Sequence, residues 1–147
     1  MAKDNATVLI VEGDPDVRLL CRTTLEFEGY EVVEARDGEQ AMRRLRATSP
    51  NVVLLGVALA GPDGWEVLSA IKADDGLKDL PVVMLTAEAK EQDPLRCWSG
   101  GAADYLTAPF APLAPSQVLE DVLATSPAEE DARRRCILSR LQPREDI

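Results

Sequence analysis

The sequence predicts an α/β fold with a five-stranded parallel sheet and helices on both of its faces. Val52 to Leu55 is a run of four apolar residues without polar alternation, typical of a strand buried on both sides. Short β-rich runs alternate five times with segments of helical periodicity. Helical crossovers of that length join parallel strands through right-handed connections. Ligands and chemistry in such a sheet are expected at the carboxyl ends of the strands.

The five predicted strands are β-branched or apolar runs bounded by turn residues. The first four precede a helical segment that begins with a capping residue or proline. Asp14 can cap the first helix, with Pro15 at its first position, and Gly29 ends it. The predicted strands are Thr7–Val11, Tyr30–Ala35, Val52–Leu55, Pro81–Thr86 and Asp104–Thr107. The helices follow them from Pro15, from a turn at Asp37-Gly38 to near Thr48, from Trp65, from Asp93-Pro94 to near Gly100, and from Pro112. Five such units favour the flavodoxin-like strand order 2-1-3-4-5.

The 147 residues, 46% of them hydrophobic, suit one domain followed by a tail. We expect the domain to span residues 6–125 and the tail, residues 126–147, to be helical or partly disordered. Ser126 and Pro127 suit a helix start, and the acids at 129–131 precede the arginines at 133–135, which complements a helix dipole. Two interpretations remain for this tail: a frayed extension packed loosely on the domain, or a helix that binds a partner or a second copy.

The charge and residue usage exclude several classes of function. A net charge of −10 and a pI of about 4.5 disfavour direct binding to nucleic acid and to anionic membranes. No apolar run approaches a membrane span, and the widely spaced Cys21, Cys97 and Cys136 fit reduced thiols, so we expect a cytoplasmic protein. The absence of histidine excludes His-based triads, most zinc sites and a phosphohistidine carrier.

A series of short motifs follows one order along the chain: Val8–Glu12, Asp14–Arg18, Gly29–Val32, Ala35–Ala41, Asp63–Leu68, Pro81–Ala87 and Asp104–Phe110. Together they resemble the receiver domain of bacterial response regulators, which act in two-component and phosphorelay signalling. The similarity covers roughly residues 6–125, and it is specific because the motifs keep both order and spacing.

The resemblance implies self-phosphorylation on aspartate, and this sequence keeps part of the required set. The family uses a carboxylate nucleophile at the end of the third strand and two acidic residues after the first strand, which hold Mg²⁺. It also uses a hydroxyl after the fourth strand, an aromatic residue on the fifth strand and a lysine after the fifth strand. One of the two acidic positions holds Glu12, and the hydroxyl position holds Thr86. The position of the aromatic residue that acts as a switch in the family holds Tyr105. The nucleophile, second acidic and lysine positions hold Gly56, Gly13 and Ala108.

These departures predict a degenerate phosphorylation pocket formed by Glu12, Gly13, Gly56, Thr86 and Ala108. Without a carboxylate at position 56 no acyl phosphate forms there. With so few acidic ligands, Mg²⁺ binding is expected to be weak or absent. We therefore expect no catalytic residue, no metal site, no cofactor and no enzymatic activity, that is, a pseudo-receiver.

The remaining candidates each have a functional and a plain structural interpretation. Glu12 is a possible residual metal ligand, but in a site with so few acids a solvated loop acid is the ordinary case. Asp63 is a possible substitute acceptor, but Asp before a helix start is an ordinary cap. Thr86 either gates Tyr105 or bonds to backbone at a strand end. Tyr105 is expected half-buried against the fourth helix, facing inward or outward. Trp98 is expected to be exposed beside it, on a partner surface.

Three functions are compatible with these residues. The first is an atypical response regulator that acts by phosphorylation-independent protein contacts through its fourth helix, fifth strand and fifth helix. Its partner would be a histidine kinase, an output protein or a second copy. The second is a receiver phosphorylated on a substitute such as Asp14, Asp63 or a hydroxyl. The third is a sensor whose emptied pocket takes a small ligand.

Overall fold

The computed structural model describes residues 6–86, 94–107 and 113–141. Five strands alternate with helices, and a sixth helix follows. The strands are β1 (Thr7–Val11), β2 (Glu31–Ala35), β3 (Val52–Gly56), β4 (Val82–Thr86) and β5 (Asp104–Thr107). The helices are α1 (Pro15–Phe27), α2 (Gly38–Thr48), α3 (Gly64–Ala73), α4 (Pro94–Ser99), α5 (Ala114–Leu123) and α6 (Pro127–Leu141).

The five strands form one parallel sheet in the order β2-β1-β3-β4-β5, as the sequence predicts. β3 lies at the centre, and all five of its residues are buried. The apolar run that starts at Val52 therefore has helices over both of its sides, because a parallel sheet is covered on both faces.

Two apolar layers lie on the two faces of the sheet. One includes Leu9, Leu55 and Met84 and is closed by residues of α2, α3 and α4. The other includes Ile10, Leu54 and Leu85 and is closed by residues of α1 and α5. Alternate residues of each strand enter alternate layers, which follows from the period of two along a strand.

Aspartate caps set the helix starts that face the carboxyl ends of the strands. Asp14 accepts a hydrogen bond from the Asp16 backbone N–H at 2.8 Å, with Pro15 in the first helical turn. Asp63 accepts one from the Glu66 N–H at 2.9 Å. Both predicted caps are confirmed, and the first turns of α1 and α3 are thereby fixed beside β1 and β3.

Small differences from the predicted boundaries have local causes. β2 begins at Glu31, because the Tyr30 N–H still bonds to the Leu25 carbonyl in the turn after α1. Gly29 has a φ of 100°, which glycine adopts without strain and which ends α1 as expected. The predicted helix starts at Asp93 and Pro112 lie outside the described residues.

Candidate functional site

The carboxyl ends of four strands meet at one edge of the sheet. Gly56 is the last residue of β3 and pairs with Leu85, and Thr86 pairs with Thr107 at the ends of β4 and β5. Glu12 directly follows β1, the neighbour of β3 on its other side. The fold thus brings together Glu12, Gly13, Gly56 and Thr86, which we call the carboxyl-edge site. Ala108, the fifth predicted member, lies outside the described residues.

Gly56 has no side chain at the centre of this site, and the Glu12 carboxylate extends toward the Gly56 backbone. A Cβ placed on Gly56 would lie 3.0 Å from the Glu12 Oε1 atom and 3.0 Å from the Val11 carbonyl oxygen. Both approaches are tighter than ordinary carbon–oxygen contacts, so a side chain at position 56 requires Glu12 to move. The room expected from an emptied pocket is therefore filled in part by the Glu12 carboxylate.

Glu12 is held inward by its neighbours and is only 7% exposed. Its Oε2 atom accepts a hydrogen bond from the Asp14 backbone N–H at 2.9 Å. The Arg18 Nη1 donates to the Glu12 carbonyl oxygen at 2.6 Å, and the Glu12 N–H donates to Ala35. The expectation of a solvated loop acid is wrong, because the turn before α1 supplies a backbone donor that pulls the carboxylate in.

The Glu12 carboxylate also affects a neighbouring thiol. Burial, and secondarily the negative charge of Glu12, raises the pKa of Cys21 to about 12. Since the thiolate is the reactive form, a buried thiol with so high a pKa carries little reactive thiolate at neutral pH.

Gly13 differs from Gly56 in having room around it. A Cβ on Gly13 would meet only the carbonyl oxygens of Ala58 and Arg36, each at an ordinary 3.7 Å. The position thus tolerates a side chain in space, yet the sequence supplies no oxygen ligand there.

The magnesium ion that receivers use does not fit the side chains present. No group of three or more Asp, Glu, Cys or His side chains converges within residues 6–86, 94–107 and 113–141. Glu12 supplies one carboxylate, and one of its oxygens already accepts the Asp14 N–H. Mg²⁺ sheds its water reluctantly and needs more oxygen ligands than this edge offers.

The hydroxyl at position 86 bonds to another threonine. Thr86 is 2% exposed, and its Oγ1 donates to the Thr107 Oγ1 at 3.0 Å. The expected bond to backbone is wrong, because the parallel register sets the two hydroxyls side by side on β4 and β5. Register depends on tertiary pairing, so the sequence alone did not single out Thr107.

Tyr105 lies toward α4 and not toward Thr86. Its side chain is 37% exposed, and its ring meets the Trp98 ring edge-on at 6.4 Å between centroids. The half-buried placement against the fourth helix is confirmed, and the direction left open by the sequence is outward. Tyr105 thus belongs to a surface formed by α4 and β5, which we call the α4–β5 face.

Trp98 occupies this face but is buried, at 5% exposure, so its expected exposed position is wrong. The guanidinium of Arg133, on α6, lies 5.6 Å from the centre of the Trp98 ring. Arg133 also forms an ion pair with Asp104 at 3.6 Å. Sequence reasoning did not single out Arg133 or Asp104, because nothing in the helical pattern of α6 indicates which face meets the domain.

A second arginine–tryptophan contact lies nearer the carboxyl edge. The Arg96 guanidinium of α4 stands 4.8 Å from the Trp65 ring centre on α3. Trp65 packs in the core layer beneath α3, as expected for a packing residue. The contact joins α4 to α3. Trp98, two residues after Arg96, lies on the opposite side of α4.

The match to a known family agrees with this geometry. The model of the response regulator receiver domain matches residues 8–120. This chain belongs to the receiver domain family. Membership in this family explains the strand order, the acidic turn after β1 and the aromatic residue on β5. The resemblance that the motifs indicated is thereby confirmed at the level of the family.

Related proteins and solved structures extend the comparison. The chain is 37% identical over 105 residues to the phosphate regulon transcriptional regulatory protein PhoB of Escherichia coli, covering 71% of this chain and 46% of that protein. It is 36% identical over 103 residues to the DNA-binding dual master transcriptional regulator RpaA of Synechocystis, covering 70% and 43%. The receiver domain thus spans about half the length of these relatives.

Among solved structures, the chain is similar to a putative response regulator from Chloroflexus aurantiacus, with a TM-score of 0.77 and 32% identity over 82% of this chain and 98% of that one. It is also similar to the chemotaxis response regulator CheY4 of Vibrio cholerae, with a TM-score of 0.74 and 29% identity over 80% and 98%. These likenesses confirm the flavodoxin-like receiver fold. Across the described part of the chain, no helix is both long and apolar enough to cross a membrane.

Proposed function

We propose that this receiver domain is a pseudo-receiver that acts in two-component or phosphorelay signalling by phosphorylation-independent protein contacts. The observation that carries the proposal is Gly56 at the end of the central strand, with the Glu12 carboxylate 3.0 Å from where a Cβ would stand. No acyl phosphate forms on a residue without a carboxylate.

The rest of the carboxyl-edge site supports the same function. The Thr86 hydroxyl is engaged by Thr107, so the hydroxyl that receivers turn toward a phosphoryl group is tied into the sheet. Gly13 offers no ligand for a divalent cation. Among the described residues of the site there is neither an acceptor carboxylate at position 56 nor a cation of the kind that phosphoryl transfer requires, and we propose that the chain is not an enzyme.

The α4–β5 face is the proposed contact surface. It contains the buried Trp98 indole, the partly exposed Tyr105 phenol and the Asp104 carboxylate, and aromatic residues are common in the central contacts of protein interfaces. A histidine kinase, an output domain or a second copy are the partner classes that the family supplies, and a cytoplasmic setting is part of the proposal. The relatives named as transcriptional and DNA-binding regulators are about twice the matched length, so direct DNA binding is not assigned to this domain.

Phosphorylation on a substitute residue is the main alternative, and two observations disfavour it. Asp14 and Asp63 each accept a backbone N–H as helix caps, so one oxygen of each carboxylate is already engaged in a structural hydrogen bond. For a small-ligand role, the Glu12 carboxylate already takes part of the space at Gly56. Two cavities lined by described residues, of about 480 and 340 Å³, lie beside α6 and at the amino ends of β3 and β4.

Incubation with Mg²⁺ and acetyl phosphate, read by intact mass, tests the proposal. The native chain should show no phosphoryl adduct, whereas a Gly56→Asp, Gly13→Asp, Ala108→Lys triple variant should gain one. Adding Glu12→Asp to that variant shortens the side chain that approaches position 56. This second variant shows whether crowding by Glu12 limits phosphorylation of the triple variant. An adduct on the native chain would contradict the pseudo-receiver assignment, and peptide mapping would then identify the substitute acceptor.

A further inference from the structure

The sixth helix lies across the α4–β5 face, and its start is fixed by a reciprocal cap. The Ser126 Oγ accepts from the Glu129 N–H at 3.2 Å, while the Ser126 N–H donates to the Glu129 Oε1 at 3.4 Å. This is a capping box, which satisfies donors at both positions. Only residues 124–126 separate α5 from α6, so the cap directs the helix away from α5 and over α4.

One side chain of α6 covers the centre of the face. Arg133 stacks its guanidinium on the Trp98 ring and pairs with the Asp104 carboxylate, at 5.6 and 3.6 Å. Trp98 is buried beneath this guanidinium. The helix that carries Trp98, α4, has only six residues. Tyr105 and Leu95, which flank Trp98 in β5 and α4, remain partly exposed. The covered part of the face is thus the indole itself.

The Arg133 contacts are polar and partly exposed. The Arg133 and Asp104 side chains are 45% and 23% exposed, so water competes for their ion pair. Among the α6 side chains whose burial the structure describes, Glu130 and Ile137 are partly buried and the others are exposed. A partner that offers the same cation to Trp98 and Asp104 can therefore compete with α6 for this face.

We propose that α6 is an intramolecular cover of the α4–β5 face, and that a partner binds there by displacing it with an arginine-bearing helix of its own. The face offers an aromatic ring beside a carboxylate, and Arg133 shows which chemistry satisfies both. The acidic balance of the chain, −10, also favours a basic partner segment. The inference deepens the proposed function, because it rests on this face as the contact surface and names what controls access to it.

Quenching of Trp98 fluorescence by acrylamide tests the cover in the full chain. A Trp65→Phe background leaves Trp98 as the single tryptophan and keeps an aromatic ring under Arg96. Arg133→Glu should raise the quenching constant at least twofold, because the glutamate repels Asp104 and uncovers the indole. Arg135→Glu makes the same charge change on the same helix at an exposed position and should leave quenching unchanged. Adding Asp104→Arg to Arg133→Glu should restore protection.

A synthetic peptide of residues 126–141 serves as the arginine-bearing probe for the face. The peptide should bind the Arg133→Glu chain at least tenfold more tightly than the native chain, and its own Arg133→Glu form should not bind. Unchanged Trp98 quenching in Arg133→Glu would overturn the cover. Dimerisation of that variant in sedimentation would overturn the partner assignment, because a second copy would then occupy the face. Neither readout involves a phosphoryl group, so they fail independently of the acetyl phosphate experiment.

Discussion

The carboxyl-edge site and the α4–β5 face rest on the same sheet but differ in what their side chains can do. The carboxyl edge places a glycine at its centre, a buried carboxylate against that glycine and two threonines bonded to each other. The α4–β5 face places an indole, a phenol and a carboxylate under a separate helix. The difference indicates that the residues of the carboxyl-edge site and those of the α4–β5 face can change independently of each other in a receiver domain.

The physical basis of this independence is the apolar core. The apolar side chains that hold β1, β3 and β4 together, such as Leu9 and Leu54, lie along the strands, whereas Glu12, Gly13 and Thr86 stand at or after the strand ends. Stability therefore depends little on whether polar residues at the strand ends serve a phosphoryl group. The same holds for α6, which adds contacts outside both layers.

The largest effect is expected where α3 joins the carboxyl edge. A Cβ on Gly64 would overlap the Gly56 carbonyl oxygen and stand 2.8 Å from the Val57 Cα. Both neighbours are backbone and cannot rotate away, so Gly64→Ala should lower the free energy of unfolding by about 3 kcal/mol. Gly76→Ala, in the loop after α3, adds the same methyl and should change it by less than about 1 kcal/mol. Urea unfolding of both variants checks this, and equal losses would contradict the close packing of α3 on β3.

An intermediate effect should separate the two glycines of the carboxyl-edge site. Gly56→Ala presses on the Glu12 carboxylate and should cost about 1–2 kcal/mol of unfolding free energy. Gly13→Ala has room and should be neutral or stabilising by up to about 1 kcal/mol. Adding Glu12→Ala to Gly56→Ala should recover part of the loss, because the crowded oxygen is gone. A larger loss for Gly13→Ala than for Gly56→Ala would refute the inward position of Glu12.

The smallest effect is expected at the start of α6. Ser126→Ala removes the Ser126 Oγ that accepts from the Glu129 N–H, keeps the backbone N–H that donates to Glu129, and should weaken the helix by roughly 1 kcal/mol. Amide hydrogen exchange should become faster within α6 while the strand amides stay unchanged. Ser139→Ala, at an exposed position later in the same helix, is the matched control and should not speed exchange. Faster exchange throughout the sheet would mean that α6 is part of the core and not a cover.

The sequence predicted the fold well because its signals are local. Alternating strand and helix patterns, the caps at Asp14 and Asp63 and the stop at Gly29 are each read within a few residues. The strand order followed from the general rules for parallel sheets. The position of Gly56 at the end of β3 was also evident from the motif spacing.

What the sequence did not predict depends on contacts between distant segments. The inward turn of Glu12, the pairing of Thr86 with Thr107 and the burial of Trp98 each require a partner that only the tertiary structure supplies. Trp98 is the clearest case, since its ring lies under Arg133 of α6, a contact between segments that are distant in the chain. Polar contacts by a single arginine leave no periodic pattern in a sequence.

The central claim is that α6, and not the carboxyl-edge site, controls the α4–β5 face. An amide and indole NMR spectrum of the full chain, recorded with and without Mg²⁺ and acetyl phosphate and then for Arg133→Glu, tests it most directly. The account predicts that the phosphoryl donor leaves Thr86, Tyr105 and Trp98 unmoved, whereas Arg133→Glu shifts the Trp98 indole and the Asp104 amide. Shifts at Thr86, Tyr105 and Trp98 caused by the phosphoryl donor alone would contradict it.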